Sequence, residues 1–112
     1  MSNELFLLLA SASIALSLGA ATYHAYAKRT GAAAGPAFAT ATSPMSLMGT
    51  LLVVITLLFT GFGRGLMAVV FAVGLGMIIN ILMHNMAGTK VQSIAPLAPV
   101  LTLATIWFSG VF

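Results

Sequence analysis

The sequence predicts an all-α integral membrane protein, a small bundle of four transmembrane helices. Three observations lead there. Of the 112 residues, 61% are hydrophobic and 4% are charged, whereas a soluble domain carries about 25% charged residues. Glu4, Lys28, Arg29, Arg64 and Lys90 cannot cover a water-facing surface. The apolar residues also gather into runs of the length that crosses a hydrocarbon core, about 20 helical residues for about 30 Å. Finally, the charges fall at the ends of those runs or between them.

Helix 1 is expected over 4–27, with Tyr23 and Tyr26 placed as an interfacial aromatic belt just before Lys28 and Arg29. This run resembles a secretory signal in its apolar stretch. Its first residues, however, carry Glu4 and no cation, so it is expected to be a retained helix. Residues 28–43 form a connection of Ala, Gly, Thr and Ser around Pro36, expected on the cytoplasmic side and packed on a partner surface. Ser43-Pro44 reads as a helix start, Ser as N-cap and Pro in the first turn.

The apolar stretch 44–86 would make a helix of about 65 Å, twice what a membrane needs. Gly61-Phe62-Gly63-Arg64-Gly65 divides it, because glycines permit a tight turn and Arg64 is costly at a membrane centre but cheap at an interface. Helix 2 is therefore expected over 44–61 and helix 3 over 65–86. Ser93 reads as the cap of a last helix over 94–112, whose first turns contain Pro96 and Pro99. The alternative architecture is three spans plus a partly inserted C-terminal segment. With four spans, Lys28, Arg29 and Lys90 share one side against Arg64 on the other. This charge bias puts loops 1 and 3 in the cytoplasm of a bacterial or archaeal cell, and both termini outside.

Helices in lipid meet through small and hydroxylated residues. Ser13, Ser17, Ala20 and His24 follow one face of helix 1, and Gly76, Asn80 and His84 one face of helix 3. Ser13, Ser17, Ala20 and Gly76 are the expected packing positions. The two histidines fall at similar depth near the cytoplasmic ends of helices 1 and 3. Intramembrane ionisable groups are candidate functional sites, and His24, His84 and Asn80 are the candidate ligand set. Paired imidazoles suit haem, a chlorin or a quinone.

Absences narrow the function. Without cysteine there is no disulfide, zinc thiolate or cysteine-ligated iron–sulfur site. No clustered basic face invites nucleic acid. Small four-helix multidrug antiporters and rotary c-subunits work through a carboxylate inside a helix, whereas the only acid here is Glu4, at the start of helix 1. No base stands beside a nucleophile, so no catalysis by this chain is expected. The expected role is a non-catalytic accessory subunit of a larger membrane complex, bioenergetic (electron-transfer or photosynthetic) or transport-related. Its partners would be lipid and other subunits or copies of itself. The alternatives are a membrane anchor with a haem, chlorin or quinone site at His24 and His84, and a small homo-oligomeric channel or carrier.

Overall fold

A computed structural model describes residues 3–31, 35, 38–40 and 42–108, the backbone alone at 3, 87 and 89. The described residues are almost wholly helical. Helix α1 spans Asn3–Thr30, α2 Pro44–Arg64 and α3 Leu66–Ala87; a 3-10 turn Gly88–Lys90 leads to the short α4 Val91–Ile94, and a second, Ala95–Leu97, leads to α5 Ala98–Phe108. Among the described residues, four stretches are long and apolar enough to cross a membrane: Glu4–Thr30, Pro44–Arg64, Leu66–Met86 and Val91–Phe108. The chain measures 40 × 23 × 19 Å, and its long dimension is close to that of a bilayer with its headgroup layers, about 40–45 Å.

Helix α1 is the hub. Half of its apolar window is buried, against 22% for α2, 17% for α3 and 28% for the fourth stretch. Its many Ala, Ser and Gly residues explain this, since small side chains let neighbours close in from several sides. Polarity runs opposite to that of a soluble domain. Ser11, Ser13, Ser17, Ser46, Thr56, Thr60, Thr102 and Thr105 are buried, whereas Leu51, Leu58, Leu66, Met67, Val70, Ile78 and Leu103 are exposed. Two apolar clusters complete the interior: Phe6, Ala10, Ile14 and Ala72 towards one end, and Ala20, Tyr23, Ala27, Phe38, Val91 and Ala95 towards the other.

The helix boundaries differ from expectation in four places. Helix α1 runs past Lys28 and Arg29 to Thr30, because Gly31, at φ 73°, supplies the stop and donates its N–H to Ala27. Of the three glycines around Arg64, only Gly65 leaves the helix, at φ 90°. Gly61 and Gly63 stay in α2, and a Cβ on Gly61 would sit 3.3 Å from Val69, so its smallness serves the hairpin's close approach. Ser43 does stand at the cap of α2, but its hydroxyl accepts from the N–H of Thr40 rather than capping the helix.

The fourth difference is the last helix, which starts at Val91 and not at Ile94, so Ser93 is a helical residue and no cap. Prolines have a larger effect there than expected. Pro99 has no N–H to give Ala95, and that carbonyl accepts from Ala98 instead, one residue nearer, which tightens Ala95–Leu97 into a 3-10 turn. The stretch retains spanning length as α4 and α5 joined through this turn. Its expected last residues, 109–112, lie outside the described residues, as does Pro36.

The two ends of the bundle are tied differently. At one end the Arg64 guanidinium lies 4.7 Å over the Phe6 ring and donates to the Phe108 carbonyl at 3.2 Å, joining α1, α2 and α5. At the other, the connection after α1 folds back on the chain's own helices: Phe38 packs edge-on against Tyr23 at 5.6 Å, and the Gly35 N–H donates to Gln92 Oε1 at 2.6 Å. Gln92 in turn donates to the Tyr23 hydroxyl at 3.2 Å. The described part of this segment thus covers its own bundle, where the sequence led us to expect a partner.

Candidate functional site

Two polar regions flank α1, and they differ in kind. The first is a column of hydroxyls between α1, α2 and the fourth stretch. On α2, Ser46, Gly49, Thr56 and Thr60 are buried, and on α5, Ala98, Thr102 and Thr105. Ser13 lies within hydrogen-bond reach of Thr56 at 3.1 Å and of Thr102 at 2.9 Å. Above it α2 comes hard against α1. A Cβ on Gly49 would meet the Ser17 carbonyl and sit 2.6 Å from the Ala21 nitrogen and 2.9 Å from the Ala20 side chain. Ser13, Ser17 and Ala20 are all fully buried along this seam.

The second region is a cleft between α1 and α3 of about 230 Å³, lined by Thr22, Ala25, Tyr26, Arg29, Asn80, Ile81, His84 and Asn85. Helical spacing brings these residues together: 22, 25, 26 and 29 share one face of α1, and 80, 81, 84 and 85 one face of α3. The two helices touch closely further along, where a Cβ on Gly76 would sit 2.8 Å from Ile14 and 3.1 Å from the Ser11 carbonyl. They separate towards the Arg29 end because the larger side chains of Tyr26 and His84 replace Gly76 and Ser11 in the seam.

His84 is only 8% exposed. Its ring stacks on Tyr26, with centroids 4.8 Å apart and planes 11° apart, and lies 6.2 Å from Tyr23. The Thr22 hydroxyl donates to the Leu18 carbonyl at 2.6 Å and lies 3.4 Å from His84 Nε2, where the donor follows the tautomer of the ring. Nδ1 is buried without a hydrogen-bond partner among the described residues. Asn80 Oδ1 is likewise buried and unpartnered. It lies 3.6 Å from where a Cβ on Gly19 would stand, so that end of the amide faces α1.

Of the candidate ligand set, His84 and Asn80 share this cleft. His24 lies at the same depth, between Thr22 and Tyr26, but on another face of α1, and it is absent from the lining. Its Nδ1 is also buried without a partner among the described residues. The two histidines thus do not face one cavity, because two residues along a helix is a rotation of about 200°. No group of three or more metal-ligating side chains gathers among the described residues. The packing candidates fall on two faces of α1, with Ser13, Ser17 and Ala20 on the hydroxyl side and Gly76 against Ile14 on the cleft side.

A second, apolar hollow of about 240 Å³ adjoins the cleft. It is lined by Ile14, Leu18, Val53, Leu57, Val73 and Met77, together with Thr22, Asn80 and Ile81. Those last three residues line both hollows. The polar and the apolar hollow thus meet at these three residues, and together they make up the groove beside α1. Sequence reasoning passed over Thr22, Tyr26, Arg29 and Asn85 as parts of a site. Their common spacing of three and four on each helix was the available signal. No family model, curated protein or solved structure matches the chain.

Proposed function

We propose that this chain is a multi-pass integral membrane protein that serves as a non-catalytic accessory subunit of a larger membrane complex, bioenergetic or transport-related. One observation carries this reading: the inversion of polarity among the described residues, with ten Ser, Thr and His side chains buried and large Leu, Val, Ile, Met and Phe side chains exposed, some on each of the four membrane-length stretches. Water would reject such a surface, and lipid or the apolar helices of a partner would accept it. Helix α3 is the best candidate for a partner face, being the most apolar of the four stretches and the least covered by its own chain. The orientation proposed has both termini outside and the turns at 31–43 and 88–90 in the cytoplasm, with Lys28, Arg29 and Lys90 on the inner side.

The chain contains no cysteine, so single cysteines can be introduced and labelled in intact cells without background. Cysteine at Thr40 should be protected from an impermeant maleimide and cysteine at Gly63 labelled; the reverse pattern inverts the topology. For the subunit reading, extraction in mild detergent followed by native mass measurement should give an assembly heavier than the 11.5 kDa chain. A stable monomer would count against it.

The groove beside α1 favours a second reading, in which the chain also contributes a binding site for a small amphiphile through His84 and Asn80. His24 has no part in it. Both readings are compatible with one protein, since a subunit can carry part of a ligand site.

A further inference from the structure

We infer that the groove between α1, α2 and α3 is a binding site for a single-tailed amphiphile with an uncharged, carbonyl-bearing ring as its head, a prenyl quinone in chemical class. The inference rests on the second reading above and names its ligand. Four features of the groove select that class.

First, the polarity divides along the groove. The polar lobe is next to Arg29, at the end of α1, and the apolar lobe runs inward along Leu18 and Ile14. A ligand lying in both must carry a polar head and an apolar tail. Second, the polar lobe holds no carboxylate, and the Asn80 and Asn85 amides line it, with the Arg29 guanidinium at its rim. A head with acceptor oxygens suits amide donors. Third, the cation stands at the mouth and a neutral amide lies deep. Arg29 is exposed, whereas Asn80 lies beside Gly19, about 15 Å further in at 1.5 Å per helical residue. A phosphate would stop at Arg29; a neutral carbonyl can descend to Asn80 without the cost of carrying charge into an apolar region. The stacked Tyr26–His84 pair beside it gives a planar head an aromatic wall.

The fourth feature is size. Each lobe holds about as much as the other, about 230 and 240 Å³, which suits one ring and the first units of one branched tail rather than paired acyl chains. Ile81, 57% exposed at the junction of the lobes, leaves the groove open sideways, so a ligand can enter from the hydrocarbon.

The test uses the full-length protein, purified in its native assembly and depleted of quinone. A short-tailed benzoquinone is added and its retention measured by dialysis and absorbance. Saturable binding of one molecule per chain is expected. Val73→Trp, which blocks the apolar lobe, and Asn80→Leu, which removes the deep donor, should each weaken it about tenfold. Arg29→Gln should change it by no more than about twofold. Leu103→Trp, on an exposed position of α5 outside the groove, should leave it unaltered. Unsaturable retention, or retention indifferent to both Val73→Trp and Asn80→Leu, would mean simple partition into detergent and would overturn the inference. So would a protein that ignores the quinone but retains phosphatidylglycerol in a way that Arg29→Gln abolishes, which would make the groove an anionic-lipid site. Thermal melts of each variant separate lost binding from lost folding. Native mass measured on the same samples keeps the two claims apart, since an assembly that forms and binds no quinone defeats this inference alone.

Discussion

The two sides of α1 solve the same problem in opposite ways. Towards α2 and α5 the polar groups are small and sealed: Ser13, Thr56 and Thr102 bond one another, the hydroxyls of Ser17, Ser46 and Thr60 are buried without a partner among the described residues, and Gly49 brings backbone against backbone. Towards α3 they are large, incompletely paired and open to the surface through a cleft. Hydroxyls suit the first arrangement because each can donate and accept within a short radius, and Ser13 reaches two helices at once. Imidazole and amide groups suit the second, because their bulk leaves a cleft between α1 and α3 at that end. A seam closed along its length stabilises; one that opens into a cleft leaves room for a ligand. The substitutions below test whether the two sides differ energetically as they do geometrically.

The largest effect is expected at Gly49. Replacement by Leu would drive a side chain into the Ser17 carbonyl and the Ala21 nitrogen, which are backbone atoms and cannot turn aside. Overpacking of this sort costs about 3 kcal/mol, measured by reversible unfolding in mixed micelles. Gly74 is the control, with nothing within 4 Å of the Cβ position, and Gly74→Leu should alter stability by no more than about 0.5 kcal/mol. Equal losses at the two glycines would dissolve the distinction between a sealed and an exposed face.

Next comes the hairpin that sets both sides in register. Gly65 holds φ 90° and ψ 174°, a region essentially reserved for glycine, where an L side chain costs about 1–3 kcal/mol. Gly65→Ala should lose that much, and Gly63→Ala, at a helical position, should lose nothing or gain slightly. Inside the hydroxyl column, Ser13→Ala removes two interhelical hydrogen bonds and should cost about 1 kcal/mol, within the range seen for such bonds in membranes. Ser11→Ala should cost less, because the Ser11 hydroxyl donates to Leu7 in its own helix at 2.7 Å. A double-mutant cycle between Ser13→Ala and Thr102→Val reads the coupling directly, and an absence of coupling would mean the column is packing alone.

Much of this contrast was legible in the sequence, and the part that was not has a physical cause. Apolar length and sparse charge are additive along the chain, so four stretches of spanning length could be counted before any fold was known. Small residues at spacings of three and four marked Ser13, Ser17, Ala20 and Gly76, and the same rule applied to α2 would have found Ser46, Gly49, Thr56 and Thr60. What periodicity cannot give is which face meets which helix. His24 and His84 lie at the same depth, yet the rotation of α1 sends them to different neighbours. The cap positions failed for a related reason: Gly31 and Gly65 act through positive φ, a property their residue type permits but does not compel.

The smallest effect, and the one that bears most on the comparison, is expected at His84. The ring is buried, and deletion of a buried polar group from a sealed network would cost several times the energy of one hydrogen bond. Here the ring has one long contact, 3.4 Å to Thr22, and an unpartnered Nδ1. Phenylalanine in its place keeps the stack on Tyr26 and removes the unpartnered nitrogen. His84→Phe should therefore shift stability by no more than about 0.5 kcal/mol, in either direction. Ser13→Ala, which deletes a smaller group from the sealed side, should do more damage. The order of these two substitutions is the measurement that counts, made in one detergent and at one pH. If His84→Phe proves the costlier, the imidazole holds α1 to α3 and the cleft is a structural joint; if it proves the cheaper, His84 is not needed for the fold and is free to serve whatever occupies the groove.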